Sequence, residues 1–227
     1  IAMDQDIPIN VVKAPAKYED ERPDLVARRA AGINALKRAL PYFKMLDSTQ
    51  GTSIEFIEEQ IRRHHLELQS RDEAYKLVVF IDNFHDITVD QISFRENANA
   101  KFEHISNELS RICTQYDIPI ICTAELRKLN GARRPIVDDV KESGKIAYEA
   151  KAILLCYNEV GIKGESANIY FVRAEQEFAS FKQPVLEVKV GKNKYSSYKG
   201  RMFYYFYPEK SQLREVNEAD QSRFMQM

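Results

Sequence analysis

The stretch from Tyr75 to Asp86, Tyr-Lys-Leu-Val-Val-Phe-Ile-Asp-Asn-Phe-His-Asp, limits what this chain can fold into more than any other. Its five consecutive apolar residues, Leu77 to Ile81, are rich in β-branched and aromatic types and stop abruptly at an acid. An unbroken apolar run of that length predicts a strand buried on both faces, the pattern of a parallel sheet. Ligands of open α/β sheets bind outside the carboxyl ends of the strands, and Asp82 stands at that edge. A carboxylate there can hold Mg²⁺, directly or through water, against a nucleotide phosphate. Taken alone, Asp82 also fits the plainer role of a strand-end acid that caps a turn.

Further strands of the same kind follow. Asp117 to Thr123 is a second apolar run, ending at Ala124-Glu125, and Lys151 to Tyr157 is a third. Between the first two, Phe102, Ile105, Leu109, Ile112, Cys113 and Tyr116 form one face of an amphipathic helix. Upstream, Pro8 and Pro15 argue against a long helix in residues 1–22. Pro23 opens a helix whose stripe is Val26, Ile33, Leu36 and Leu40, and Pro41 ends it. Tyr42 to Leu46 is a short strand candidate. Thr52 with Glu55 reads as a capping box before a helix striped by Ile54, Ile57, Ile61 and Leu68. His64-His65 on that helix point in different directions, so a solvated pair is expected there, not a shared metal site. In the last third, Ile169–Val172, Val185–Val190 and Met202–Tyr207 predict antiparallel strands, with a hairpin around Lys192 to Gly200. With no internal repeat or low-complexity linker, one α/β domain over residues 1–227 is expected, a mostly parallel twisted sheet flanked by helices and extended by antiparallel strands.

Charge excludes some partners. The 33 basic residues balance 34 acidic ones, so any polyanion must be met by a local cluster, not by a global field. Cys113, Cys122 and Cys156 are widely spaced in apolar segments and read as reduced core thiols of a cytosolic, cytoplasmic protein, not as disulfides or a zinc site. No run reaches membrane-spanning length and no signal peptide opens the chain. The first residue is Ile1, not Met, from which the natural protein is expected to begin further upstream.

Chemistry concentrates in four places. Asp82 is the first. Glu125 is the second; there it could position a terminal phosphate or its attacking water if a metal or base offset its charge, or simply pair with Arg127 or Lys128. The third runs from Arg133-Arg134-Pro135 through Asp139, Lys141, Glu142 and Ser143 to Gly144, where Gly144 frees the backbone for close approach and Lys141, Ser143 and backbone amides could hold phosphates of a single strand. A charged loop is the alternative. The fourth, Val188 to Phe203, holds Lys189, Lys192, Lys194, Lys199 and Arg201 with Tyr195 and Tyr198 interleaved and no acid. It suits a phosphate, of nucleic acid or of a nucleotide on a neighbouring subunit. A Gly-rich loop ending Gly-Lys-Ser/Thr is not in the chain: Gly144-Lys145 and Gly191-Lys192 lack both the following hydroxyl and the earlier glycine.

Together these segments resemble the carboxy-terminal RecA-like motor domain of DnaB-type replicative helicases. Val78 to Ile87 is similar to the family's Walker B strand, and Arg95-Glu96-Asn97 leading into Ile105 to Leu109 resembles the loop and helix after it. Pro119 to Leu126 is similar to the next strand, where the family ends Ser-Gln-Leu. Arg134-Pro135 through Asp139-Val140-Lys141-Glu142-Ser143-Gly144 resembles the family's Arg-Pro…Asp-Leu-Arg-Glu-Ser-Gly, and Lys192-Asn193-Lys194 its Lys-Asn-Arg hairpin.

The resemblance implies roles. Asp82 would be the Mg²⁺-associated acid and Glu125 would occupy the γ-phosphate-sensing position. Arg133, Arg134, Lys141, Glu142 and Gly144 would lie along single-stranded DNA, and Lys192 and Lys194 would reach the ATP of an adjacent subunit. It implies ATP and Mg²⁺ as cofactors and a homo-oligomeric, hexameric ring with primase and helicase loader as further partners. The phosphate-binding loop would precede Ile1, so this segment by itself is not expected to hydrolyse ATP. Glu125, Lys141 and Lys194 stand where the family has Gln, Arg and Arg, and Arg and Lys are not equivalent at a bidentate phosphate contact. A non-hydrolysing paralogue that binds DNA or serves assembly, or a recombinase- or clock-type ATPase, are the alternative readings.

Overall fold

Prolines and small residues shape the first part of the chain. In the computed structural model, which describes residues 1–71, 76–90, 98–173 and 181–227, two short helices, α1 (Ala2–Gln5) and α2 (Ile9–Lys13), lead to α3 (Pro23–Ala39). Pro23 opens α3 as expected, because its missing N–H costs nothing in the first turn. The buried face is not the expected stripe. Leu25 and Gly32 are buried, whereas Leu36 and Leu40 are exposed. A Cβ on Gly32 would lie 2.8 Å from Gln5 Cγ and 2.9 Å from Ile1 Cγ2, so α1 crosses α3 where the side chain is missing. Ile7, Val11 and Leu25 form the small core beneath. Tyr42 to Leu46 does not form a strand. After a single 3₁₀ turn, Leu40–Tyr42, the backbone is extended at Phe43 but pairs with no strand among the described residues, and Met45 is 77% exposed.

The next segment carries the parallel pair. Helix α4 (Ile54–Gln69) is capped one residue later than expected: Ser53 accepts the Phe56 N–H at 3.2 Å, while Glu55 accepts from the Asp90 N–H at 3.3 Å. His64 and His65 are half-buried, not solvated. His64 lies 3.4 Å from Glu67, and the His65 ring meets Tyr116 edge-on. Strand β1 (Val79–Ile81), helix α5 (Ala98–Tyr116) and strand β2 (Ile120–Cys122) make a parallel unit with Val79 opposite Ile120, Phe80 opposite Ile121 and Ile81 opposite Cys122. Ile105, Leu109 and Ile112 of α5 are buried against Ile54 and Ile61 of α4. Strand residues alternate between faces, so Val79, Ile81, Ile120 and Cys122 pack on this core. Phe80 and Ile121 turn the other way and remain 73% and 51% exposed. The expected burial on both faces is thus met on one only. Tyr75 and Arg95-Glu96-Asn97 lie outside the described residues.

The remainder is α6 (Ser143–Glu149), β3 (Ala152–Asn158), α7 (Glu159–Lys163), β4 (Tyr170–Phe171), β5 (Gln183–Asn193), β6 (Arg201–Tyr207), β7 (Gln212–Glu215) and α8 (Glu218–Met225). The second sheet runs β3-β5-β6-β7, with β4 on β5; the β4–β5, β5–β6 and β6–β7 pairings are antiparallel, as expected. Its core is Ile169, Phe171, Val185, Phe203 and the fully buried Phe224 of α8. The residues fall into two compact units. One comprises Ile1–Met45, Cys156–Lys189 and Gly200–Met227, the other Leu46–Leu155 and Val190–Lys199.

Ile105 has no exposed surface, and truncating a fully buried Ile to Ala costs about 2–5 kcal/mol. Urea unfolding of Ile105→Ala is expected to show a loss of that size, with the slope against denaturant unchanged.

Candidate nucleotide and nucleic-acid site

The parallel register sets the edge of the site. One step beyond the paired residues, Asp82 leaves β1 and Thr123 leaves β2. The Thr123 N–H donates to Ile81 O at 3.0 Å, and its hydroxyl donates to Asp82 Oδ1. The chain then turns: Phe84 N–H donates to Thr123 O at 2.8 Å, and the Phe84 ring is buried in the core. Asn83 caps this turn, accepting from the His85 N–H and donating to Asp86, each at 2.8 Å. Asp82 itself is exposed.

Glu125 and Lys141, far apart in sequence, meet here. Arg127 N–H donates to Asp139 O at 2.8 Å and Lys141 N–H to Glu125 O at 2.9 Å, so the two segments are paired by backbone around a Leu126–Val140 bridge. Lys141 Nζ lies 3.1 Å from Glu125 Oε2. The base that offsets the Glu125 charge is Lys141, and not Arg127 or Lys128, the partners of the plainer surface-acid reading. Both side chains are half exposed, so the pair adds only about 0–1 kcal/mol to stability; its importance is positional. His85 lies among the same groups, Nδ1 3.2 Å from the Glu125 N and Nε2 3.1 Å from the Lys141 O. Neither Thr123 nor His85 was singled out by sequence reasoning. Thr123 could have been found from the parallel register, as the first polar residue after the second apolar run.

The Arg133–Gly144 segment divides in two. Arg133 is engaged within it: its guanidinium makes two bonds of 2.6 Å to the Asp139 carboxylate, which also accepts the Ile136 N–H at 2.8 Å. Asp139 is buried while Arg133 remains half exposed. The guanidinium, then the Ile136 amide, hold the Asp139 carboxyl down at about 2. Arg134 is half-buried. Lys141, Glu142 and Gly144 lie on the exposed side. Glu142 takes a left-handed conformation, φ 55°, before α6 begins. A Cβ on Gly144 would meet nothing within 4 Å, so no packing inside the chain requires glycine there.

Lys192 and Lys194 lie on α6. Lys192 Nζ donates to Ala147 O and, at 2.8 Å, to Tyr148 O; Lys194 Nζ donates to Tyr148 O at 2.8 Å, above the Tyr148 ring. Cations on the last carbonyls of a helix are favourably placed. Burial, then the neighbouring Lys194 charge, push the Lys192 ammonium below its ordinary range. At the hairpin tip Tyr195 is 80% exposed. Arg201 of the same basic stretch is also engaged within the chain: it lies 3.8 Å from the buried Glu187 and donates to Met225 O. Cys113, Cys122 and Cys156 are free thiols, and burial pushes Cys122 up to about 12; Cys156, expected in the core, is exposed instead.

No group of three or more His, Cys, Asp or Glu that could hold a metal occurs among the described residues. One exposed carboxylate beside a hydroxyl nevertheless suits Mg²⁺, which keeps several waters and is held by one or two carboxylates together with substrate phosphates. Asp82 therefore fits that ion.

An exposed acid at the carboxyl edge of a parallel pair, beside a paired acid and base, stands where open α/β sheets bind their ligands. A solved structure described as an ATPase domain has a TM-score of 0.77 to this chain at 16% identity, over 95% of this chain and 68% of that one. A structure described as a DnaB-like replicative helicase and its interactions with primase has a TM-score of 0.76 at 17% identity, over 95% of this chain and 46% of that one. These likenesses establish the RecA-like α/β fold. A probable plasmid replicative DNA helicase of Chlamydia psittaci is 31% identical over 67 residues, 28% of this chain and 15% of that protein. The model of the DnaB-like helicase C-terminal domain matches residues 15–214, and the chain belongs to that family. It spans less than half of the replicative-helicase chain it resembles. Among the described residues no helix is long and apolar enough to cross a membrane.

The Asp139 carboxyl is held near 2 in the folded chain and titrates near about 3.9 when unfolded. Its contribution to stability is complete above the unfolded value and is lost as pH falls through the folded one. Thermal midpoints followed from pH 6 to pH 2 should therefore show the chain's advantage over Arg133→Gln shrinking between about pH 4 and pH 2.

Proposed function

We propose that this chain is the motor domain of an ATP-driven DNA helicase, acting as a ring, expected to be hexameric, that moves along single-stranded DNA in the cytoplasm. The observation that carries the reading is the convergence of Asp82, Glu125 and Lys141 at one strand edge within a chain of the DnaB-like family.

In this reading Asp82, with Thr123 beside it, would hold Mg²⁺ together with the phosphates of ATP, and the ion would neutralise charge that develops on phosphoryl transfer. Glu125 faces the terminal phosphate with its charge already balanced by Lys141. Lys141, Glu142 and Gly144, with Arg134, follow the DNA backbone; the open space at Gly144 leaves room for a phosphate to approach. Arg133 acts through Asp139 to shape that segment. Lys192 and Lys194 reach the nucleotide of the adjacent subunit, for which they must leave the α6 carbonyls. Primase and a helicase loader are the proposed further partners.

A second reading, a non-hydrolysing relative that binds DNA or serves assembly, is favoured by one observation: both hairpin lysines are already hydrogen-bonded within the chain.

ATP hydrolysis by the longest native form of the protein, with and without single-stranded DNA, separates the two. Turnover that rises with DNA and disappears in Asp82→Ala is the expected result. DNA binding with a steep salt dependence but no turnover would replace the motor reading by the second one.

A further inference from the structure

The His85 ring is held between two backbone groups whose polarity is fixed. The Glu125 N–H can only donate, so Nδ1 accepts; the Lys141 carbonyl can only accept, so Nε2 carries the proton and donates. The ring itself is fixed by packing: it meets Phe84 and Phe102 edge-on, with centroids 5.5 and 5.4 Å away, and Asn83 caps the turn that carries it. Asp82 begins the same turn.

We infer that His85 is a positioning residue that aligns Glu125 and Lys141 with Asp82, so that the Lys141 loop responds to what occupies the strand edge. The inference rests on the motor reading above and deepens it. The Glu125–Lys141 ion pair cannot set this alignment by itself, because an exposed pair of flexible side chains is screened and weak. The imidazole spans both backbones with one rigid plane and ties them to the β1 turn. Glu125 and Lys141 are at the surface, where water can take the place of the ring. Removing the imidazole therefore disturbs alignment far more than folding.

The test is DNA-stimulated ATP hydrolysis by the longest native form, titrated with oligo-dT, for the unaltered protein, His85→Ala and His85→Gln. A Gln amide offers one acceptor and one donor and can restore part of the bridge. His85→Ala is expected to raise the half-stimulating DNA concentration about tenfold, the order of one or two lost hydrogen bonds, with a thermal midpoint close to the unaltered one. His85→Gln is expected to recover most of that loss. Unchanged half-stimulation in His85→Ala overturns the bridge alone, as does a large fall in thermal midpoint that Gln does not rescue. Absence of stimulation in the unaltered protein overturns the motor reading instead. Imidazole ¹⁵N NMR then decides the bridge independently of turnover: an Nε2–H tautomer supports it, and an Nδ1–H tautomer overturns it.

Discussion

The Val79–Ile120, Phe80–Ile121 and Ile81–Cys122 pairs set the height at which two parallel strands stop, and the polar groups around Asp82 are positioned from that edge. The pairing is short, so its register depends on what lies beneath it. Alternate strand residues rest on α5, whose Ile105 and Ile112 are fully buried. A slip of β1 by one residue would turn Phe80 into this core and Val79 and Ile81 out of it. The same slip would carry Asp82 away from Thr123. Packing on one face of the sheet thus sets where the polar groups at its end stand.

Backbone hydrogen bonding extends this control to the loop after Asp139. Residues 125–127 leave β2 with donors and acceptors still to satisfy, and residues 139–141 provide partners for Glu125 O and Arg127 N. The sequence difference at Glu125 acquires a physical meaning from that pairing. An isolated carboxylate would repel a phosphate, but the backbone register that joins Lys141 N–H to Glu125 O also brings the Lys141 ammonium to the Glu125 carboxylate. The acid at 125 and the lysine at 141 therefore form one balanced pair, and a change at either leaves the other uncompensated.

Much of the architecture was legible because its signals are local. The apolar runs placed β1, β2 and β3, the helical period placed α5, and Gly200 marked the end of the hairpin connection between β5 and β6, whereas Gly191 lies inside β5. Errors arose where an element's partner lies elsewhere in the chain. The face of α3 was misread because the contact that selects it is the missing side chain of Gly32 against α1. Tyr42 to Leu46 has strand composition without a strand to pair with among the described residues. At the site, Asp82 and Glu125 were legible as strand-end acids. His85 was not, because its significance lies in two backbone atoms supplied by residues 40 and 56 positions away.

The cationic residues differ in how free they are to meet a ligand, and that difference orders the events the fold permits. The Arg133 guanidinium already has a two-point partner in a buried carboxylate. Drawing it toward DNA would leave Asp139 charged and unpaired, so Arg133 is better suited to holding the loop than to reading a phosphate. Lys192 and Lys194 bond neutral carbonyls at the end of a short helix. These bonds are already charge-assisted through the ammonium donor, and a phosphate competes for them by bringing the opposite charge that a carbonyl lacks. Lys141 is half exposed and held by a single surface carboxylate. Arg133 is therefore the costliest of these cations to release, and an incoming polyanion that engages Lys141 or the hairpin would leave the Arg133–Asp139 clamp in place.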